Sequence, residues 1–251
     1  MKITLLGAGK LGKQLYRAFV NTPEINLVQW YDRSALSKES PEGIPIITSL
    51  SEIQETNLYL LSISDDALVE VANKLPSTSF VVHTAGSVPM DAIPQKRRGV
   101  FYPLQSFSEN QVIDFSTIPI GIESTDEKDT AMLMQLAHLM GGRPQNLSSN
   151  QRETLHLSAV LVNNFTNHLL THAAKLCASQ NLSFELLRPL LIETVRKTEQ
   201  LKPHEAQTGP ALRNDQKTIH RHLERIYDPA LKNIYKTLTT SIQTYYENEK
   251  L

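Results

Sequence analysis

Residues 2–12 read Lys2-Ile3-Thr4-Leu5-Leu6-Gly7-Ala8-Gly9-Lys10-Leu11-Gly12: a short apolar run, three glycines spaced Gly-x-Gly-x-x-Gly, and the opening of a stretch with helical apolar spacing. The glycine spacing alone is a weak signal. Its place between a strand and an amphipathic helix gives it weight. In that setting Gly7 permits a tight turn, Gly9 removes a side chain where a pyrophosphate must approach the backbone, and Gly12 lets helix and strand pack closely. The free amides at the helix N-terminus then face the phosphates. A second apolar run ends in Trp30-Tyr31-Asp32, which puts Asp32 20 positions after Gly12, where a carboxylate can accept hydrogen bonds from the adenine ribose hydroxyls. A chance glycine turn followed by a solvated aspartate is the competing account.

These residues predict a dinucleotide site built from Gly7, Ala8, Gly9, Lys10, Leu11 and Gly12, with Asp32 and Arg33 reading the ribose. The carboxylate of Asp32 would repel a 2′-phosphate, whereas Arg33 and Ser34 would bind one. NADP and NAD both remain open.

Outward from this motif, the first 149 residues alternate short apolar runs (3–6, 26–31, 58–63, 80–83, 100–102 and 118–122) with helix-like stretches at 10–20, 66–74 and 127–140. That alternation predicts a mostly parallel sheet covered on both faces. From Asn150 onward, stretches with a helical period take over at 151–180, 183–201, 214–226 and 229–249. Asp228-Pro229 opens the last of these, and Lys202-Pro203 closes the second. The expected fold is therefore α/β, with a Rossmann-type sheet domain at 1–149 and an all-helical domain at 150–251.

Composition narrows the function. The chain of 251 residues is 40% hydrophobic and 20% charged, and its formal net charge is -1. Those values describe an ordinary globular protein without the basic field that nucleic acid or anionic lipid would require. Neither partner is expected. The single cysteine, Cys177, cannot form an internal disulfide and reads as a small apolar side chain. No apolar run has the length of a signal segment or a membrane span, so the expectation is a cytoplasmic protein.

Several further segments carry polar residues at informative places. Ser64, at the end of the run 58–63, sits where parallel sheets place their ligands, and Asp65 or Asp66 can cap the helix that follows. His83 ends another strand and precedes Thr84-Ala85-Gly86-Ser87, a small-residue turn through which backbone can approach a nicotinamide ring. His83 and Gly86 are accordingly assigned to the cofactor, with a hydrogen-bonded strand-end histidine as the alternative for His83.

At this point the chain resembles a Rossmann-like family of provisionally assigned NADP oxidoreductases whose helical C-terminal half is a domain of unknown function. The resemblance runs nearly end to end. It rests on GAGKLG (7–12), SDDAL (64–68), HTAGS (83–87), YPLQSF (102–107), HLSAVLVNNFTNHLL (156–170), RPLLIET (188–194) and TGPALRNDQKTIHRHL (208–223). More distantly the chain is similar to pyrroline-carboxylate reductase and the deazaflavin-dependent NADP reductases. The family often carries asparagine at the position of Lys10 and histidine at that of Tyr102. The resemblance implies the fold, an NADP or NAD cofactor, and a substrate-side role for Tyr102, Thr208 and Arg213.

His156 opens the first long helix after the sheet and is the best proton-donor candidate. At about 100° per residue, Asn163 and Asn167 fall near its face and Asn164 farther round. Related dehydrogenases place an acid and an asparagine on the corresponding helix, so His156 and Asn164 are assigned to the chemistry, with a structural hydrogen-bond network as the alternative. Arg213 can pair with a carboxylate or phosphate, or with Asp215 to fix its loop. His168 and His172, at i, i+4 spacing, lack a third ligand, and no metal is expected.

The expected activity is hydride transfer between a nicotinamide and a small carbonyl or imine compound. A dinucleotide-binding sensor or assembly protein without turnover is the rival, and a deazaflavin electron partner is a variant of the first reading. Leu186, Leu187, Leu190, Leu191 and Val195 offer more apolar surface than one helix face requires, which predicts a homodimer through the helical domain.

Overall fold

Strand side chains alternate between the two faces of a sheet, so a strand buried on both sides must be apolar at nearly every position. This computed structural model describes residues 1–108 and 111–248. Its strands are β1 (Lys2–Leu6), β2 (Asn26–Tyr31), β3 (Ile46–Ile47), β4 (Leu58–Leu61), β5 (Phe80–His83), β6 (Arg97–Pro103), β7 (Pro119–Ser124) and β8 (Arg143–Asn146). They form one sheet in the order β3-β2-β1-β4-β5-β6-β7-β8, parallel throughout except for the β6–β7 pair. Ile3 and Leu5, Leu58 and Leu60, and Phe80 and Val82 face one core, while Leu6, Tyr59, Leu61 and Val81 face the other.

Helix α1 (Lys10–Val20) and helix α3 (Glu127–Leu139) cover the first face, and α2 (Leu68–Asn73) covers the second. Asp126 caps α3 by accepting a hydrogen bond from the Asp129 backbone amide at 2.9 Å. The bidentate pair of Arg97 with the buried Asp129 ties that helix to β6.

Two strands lie outside the sequence expectation. β3 and β8 are the edges of the sheet, and β8, Arg-Pro-Gln-Asn, is largely exposed and has no apolar run to betray it. Edge strands need only one paired side and tolerate proline and polar residues, so the period-2 signal is weakest there.

The chain divides into two compact units, Met1–Asn164 and a second from Phe165 onward. The sheet-bearing unit thus extends past residue 149, because α4 (Ser149–Ala159) belongs to it. That helix starts two residues earlier than the apolar period suggests. Ser148 and Gln151 form a capping box, with Gln151 Oε1 accepting from the Ser148 amide at 2.9 Å. Arg152 then fastens the helix to β7 by pairing with Glu123. A π-helical turn, Val160–Phe165, follows, so the expected single helix over 151–180 is interrupted.

The helical unit contains α5 (Thr166–Ala178), α6 (Arg188–Gln200), α7 (Gln216–Arg225) and α8 (Pro229–Asn248); residue 249, the last of the expected helix, lies outside the described residues. Asp215 caps α7 by accepting from the Thr218 amide, and His222 of α7 meets the Tyr235 hydroxyl of α8 at 2.8 Å. Leu186, Leu190, Ile192 and Val195, on α6 and the turn before it, are each at least 60% exposed. No helix among the described residues is long and apolar enough to cross a membrane.

Candidate functional site

The glycine turn between β1 and α1 behaves as its spacing requires. Gly7 adopts φ +116°, and a Cβ there would lie 2.1 Å from the Ser62 carbonyl oxygen. A Cβ on Gly12 would lie 2.3 Å from the Gly7 carbonyl oxygen. Gly9 is the contrast: a Cβ there would meet nothing within 4 Å. Gly7 and Gly12 are therefore forced by packing within the turn, whereas Gly9 keeps open space above it. Gly9 also stands at the N-cap of α1 with no side-chain cap, which leaves the helix's first amides for a ligand. The Trp30 indole N–H donates to the Gly7 carbonyl at 2.9 Å, and the Tyr16 ring stacks on Trp30 at 4.3 Å, so the turn is braced from beneath.

A cleft of about 740 Å³ opens over this turn, entirely within the sheet-bearing unit. Gly7, Ala8, Gly9, Lys10 and Leu11 line its floor. Tyr31, Asp32, Arg33 and Ser34 line one end, and Tyr102, Pro103, Gln105, Phe107 and His156 line another part of its wall. The Ser64–Asp65 turn and the loop Thr84 to Ser87 also contribute to the lining. A pyrophosphate fits the bare floor and its free amides, and a ribose fits beside Asp32. One Asp32 oxygen, Oδ1, accepts from the Ser34 amide at 2.9 Å and from its hydroxyl at 2.8 Å. Arg33 and Ser34 stand beside it, as a 2′-phosphate would need.

The assignments made from sequence fare unequally here. Ser64 and Gly86 line the cleft, as do Tyr102 and His156, and Gly12 lies beneath the turn. His83 does not line it. Its side chain is fully buried at the end of β5, with Nδ1 accepting from the Ala85 amide at 3.2 Å. Burial, together with the nearby Arg152 cation, pushes its pKa down to about 4, against a smaller opposing pull from Asp65. His83 is thus a neutral group supporting the loop from below. Asn164 is exposed on the π-helical turn and is not part of the lining. The turn explains the difference, because i→i+5 residues advance by less than the α-helical angle and projections past Val160 fail.

Thr208 and Arg213 belong to the helical unit, where both are exposed. Asp215 spends its carboxylate on the α7 cap. His168 and His172 meet at 3.1 Å between Nε2 atoms, and no cluster of three metal-ligating side chains forms among the described residues.

Sequence reading missed the residues that hold the wall in place. Arg152 is 1% exposed and pairs with Glu123; its other nitrogen donates to the Val88 carbonyl. Glu123 also accepts from the Ser149 amide and hydroxyl. The available signal was the i, i+4 spacing of Arg152 and His156 on one helix face. That face is inward, and the Tyr102 hydroxyl lies 3.0 Å from His156 Nδ1.

Comparison with known proteins adds a consistent picture. A family profile described as a domain of unknown function, DUF2520, matches residues 118–242. No curated protein sequence matches. Among solved structures, a provisionally assigned NADP oxidoreductase from Bacteroides fragilis is 36% identical, with 97% of this chain and 98% of that one covered at a TM-score of 0.84. A reductive aminase from Aspergillus terreus, in complex with NADPH and ethyl-5-oxohexanoate, is 14% identical, with coverage of 98% and 92% and a TM-score of 0.72. The pyrroline carboxylate reductase of Plasmodium falciparum, with NADP bound, is 12% identical, with coverage of 98% and 98% and a TM-score of 0.62. The last two likenesses concern the fold alone.

Proposed function

We propose, from the premise that this chain belongs to the family of Rossmann proteins that includes the Bacteroides fragilis oxidoreductase and carries the DUF2520 domain, that it is a dinucleotide-dependent oxidoreductase acting on a small carbonyl or imine compound. NADP or NAD is the cofactor. The observation that carries the reading is the open space above Gly9 at an uncapped helix N-terminus, flanked by Asp32 and Arg33. That combination suits a diphosphate joined to a ribose and is hard to explain as packing.

When bound, the nicotinamide supplies the hydride; the protein supplies position and a proton. The amides of α1 hold the phosphates, and the loop Thr84 to Ser87 presents small side chains along the cleft. His156 is the source of the proton, standing at the wall beside Tyr102. Proteins of the same fold named pyrroline carboxylate reductase and reductive aminase make a carbonyl or imine compound the class to test first. The exposed leucines of the helical unit support assembly as a homodimer through that unit.

The experiment is a turnover screen in which NADPH or NADH absorbance is followed with neutral ketones, oxo acids and cyclic imines. The expected result is oxidation with at least one class and loss of roughly a hundredfold in His156→Ala. Saturable dinucleotide binding with no hydride exchange across the panel would instead favour a sensor without turnover.

A further inference from the structure

The cleft wall contains a second polar group whose placement the reading above does not use. Tyr102 is the penultimate residue of β6 and is buried, and its hydroxyl lies 3.0 Å from Nδ1 of His156, with the rings edge to face at 6.1 Å. The two residues are 54 positions apart, on a strand and a helix, so local sequence does not force the meeting. Two devices bring it about. Arg152, one turn before His156, anchors the helix to Glu123 of β7 and to the Val88 carbonyl. Gly86 leaves the room: a Cβ there would stand 2.4 Å from His156 Nδ1 and 3.0 Å from the Tyr102 ring. Only a residue without a side chain lets the imidazole reach the phenol.

We propose that Tyr102 and His156 form a proton-transfer couple, with the Tyr102 hydroxyl facing the substrate's accepting atom, His156 recharging it, and Gly86 as the positioning residue that admits the imidazole. The inference rests on the oxidoreductase reading for its substrate and on geometry for the couple itself. In the step, the carbonyl or imine carbon gains the hydride that the reduced nicotinamide gives up, so the substrate is reduced and the dinucleotide oxidised. The substrate oxygen or nitrogen takes the Tyr102 hydroxyl proton as the O–H bond breaks. The phenolate then takes a proton from Nδ1 of protonated His156, and solvent restores the imidazole's proton.

The charged surroundings suit that order. Burial raises the Tyr102 phenol above its ordinary value, while the nearby Arg152 pulls the other way. Arg152 is itself paired with Glu123, and His83 beneath the loop is held neutral by burial. Tyr102 is therefore a proton holder at neutral pH that does not ionise spontaneously.

The deciding experiment uses the full chain labelled with 15N-histidine. Imidazole nitrogen resonances are recorded without dinucleotide, alongside NADPH affinity and turnover on a responsive ketone or imine, for wild type, Tyr102→Phe and Gly86→Ala. The expected result is a displaced His156 Nδ1 resonance in both variants, NADPH affinity within about twofold of wild type in Tyr102→Phe, and turnover lowered about a hundredfold. An unchanged Nδ1 resonance in Tyr102→Phe overturns the couple. A displaced resonance with undiminished turnover overturns the donor role of Tyr102. Failure of wild type to bind NADPH or NADH sinks the oxidoreductase reading instead, and the resonance still decides whether the couple exists.

Discussion

The sheet-bearing unit and the helical unit dispose of the same kinds of residue in opposite ways. Ile3, Leu5, Leu60, Phe80 and Val82 are at most 1% exposed, packed under α1 and α3. Among the described apolar residues of the helical unit, only Ala211, Ile219 and Ile226 are buried, while Leu186, Leu190, Ile192 and Val195 face outward. The first unit closes its own core and supplies the residues that line the cleft. The second leaves apolar side chains exposed, and the proposed homodimer rests on that face.

The sharpest way to break that contrast is to cut the first unit's hold on α4. Arg152→Ala leaves Glu123 without its buried partner and is expected to cost about 3–5 kcal/mol, read as a lowered urea midpoint. A midpoint equal to wild type would mean that the pair does not anchor the helix.

His83 gives a pH-dependent test of the same unit. Its pKa is depressed from 6.5 to about 4, so the unfolded chain takes up a proton that the folded chain refuses. The contribution is fully present above pH 6.5 and is lost as pH falls toward 4; it amounts to about 3 kcal/mol. Asn places an acceptor near the position of Nδ1, so His83→Asn is expected to flatten the acid limb of urea midpoints measured from pH 7 to 4. Parallel limbs in the two proteins would contradict the assignment. The smallest effect on folding belongs to the helical unit. Leu190→Glu with Val195→Glu should convert a dimer to a monomer by light scattering, at a cost to folding within about 0.5 kcal/mol per site if each lies on a surface. A wild-type chain that is already monomeric would count against the assembly.

Legibility followed the range of the interactions. The turn from β1 to α1 could be read because strand, glycines and helix are contiguous, and Asp32 could be read because a fixed βαβ unit sets its distance. Edge strands β3 and β8 were hidden because short or polar segments carry no period. The π-helical turn was hidden because no residue in Val-Leu-Val-Asn-Asn-Phe announces i→i+5 bonding, and with it went the expected position of Asn164. His83 is legible as a strand-end residue but not as a buried one, since a strand-end histidine looks the same from either face. The meeting of Tyr102 with His156 depends on Arg152, Glu123 and Gly86 together, a long-range arrangement that no spacing encodes.

The central claim is that the bare turn seats a dinucleotide, and the protein carries its own reporter. Its single tryptophan, Trp30, donates to the Gly7 carbonyl directly beneath that turn. Titration with NADPH and with NADH, exciting Trp30 and following its quenching together with nicotinamide emission, is predicted to saturate for at least one of them and to lose saturation in Gly9→Glu, where a carboxylate enters the phosphate space. A flat titration with both dinucleotides, or equal saturation in wild type and Gly9→Glu, would contradict the account.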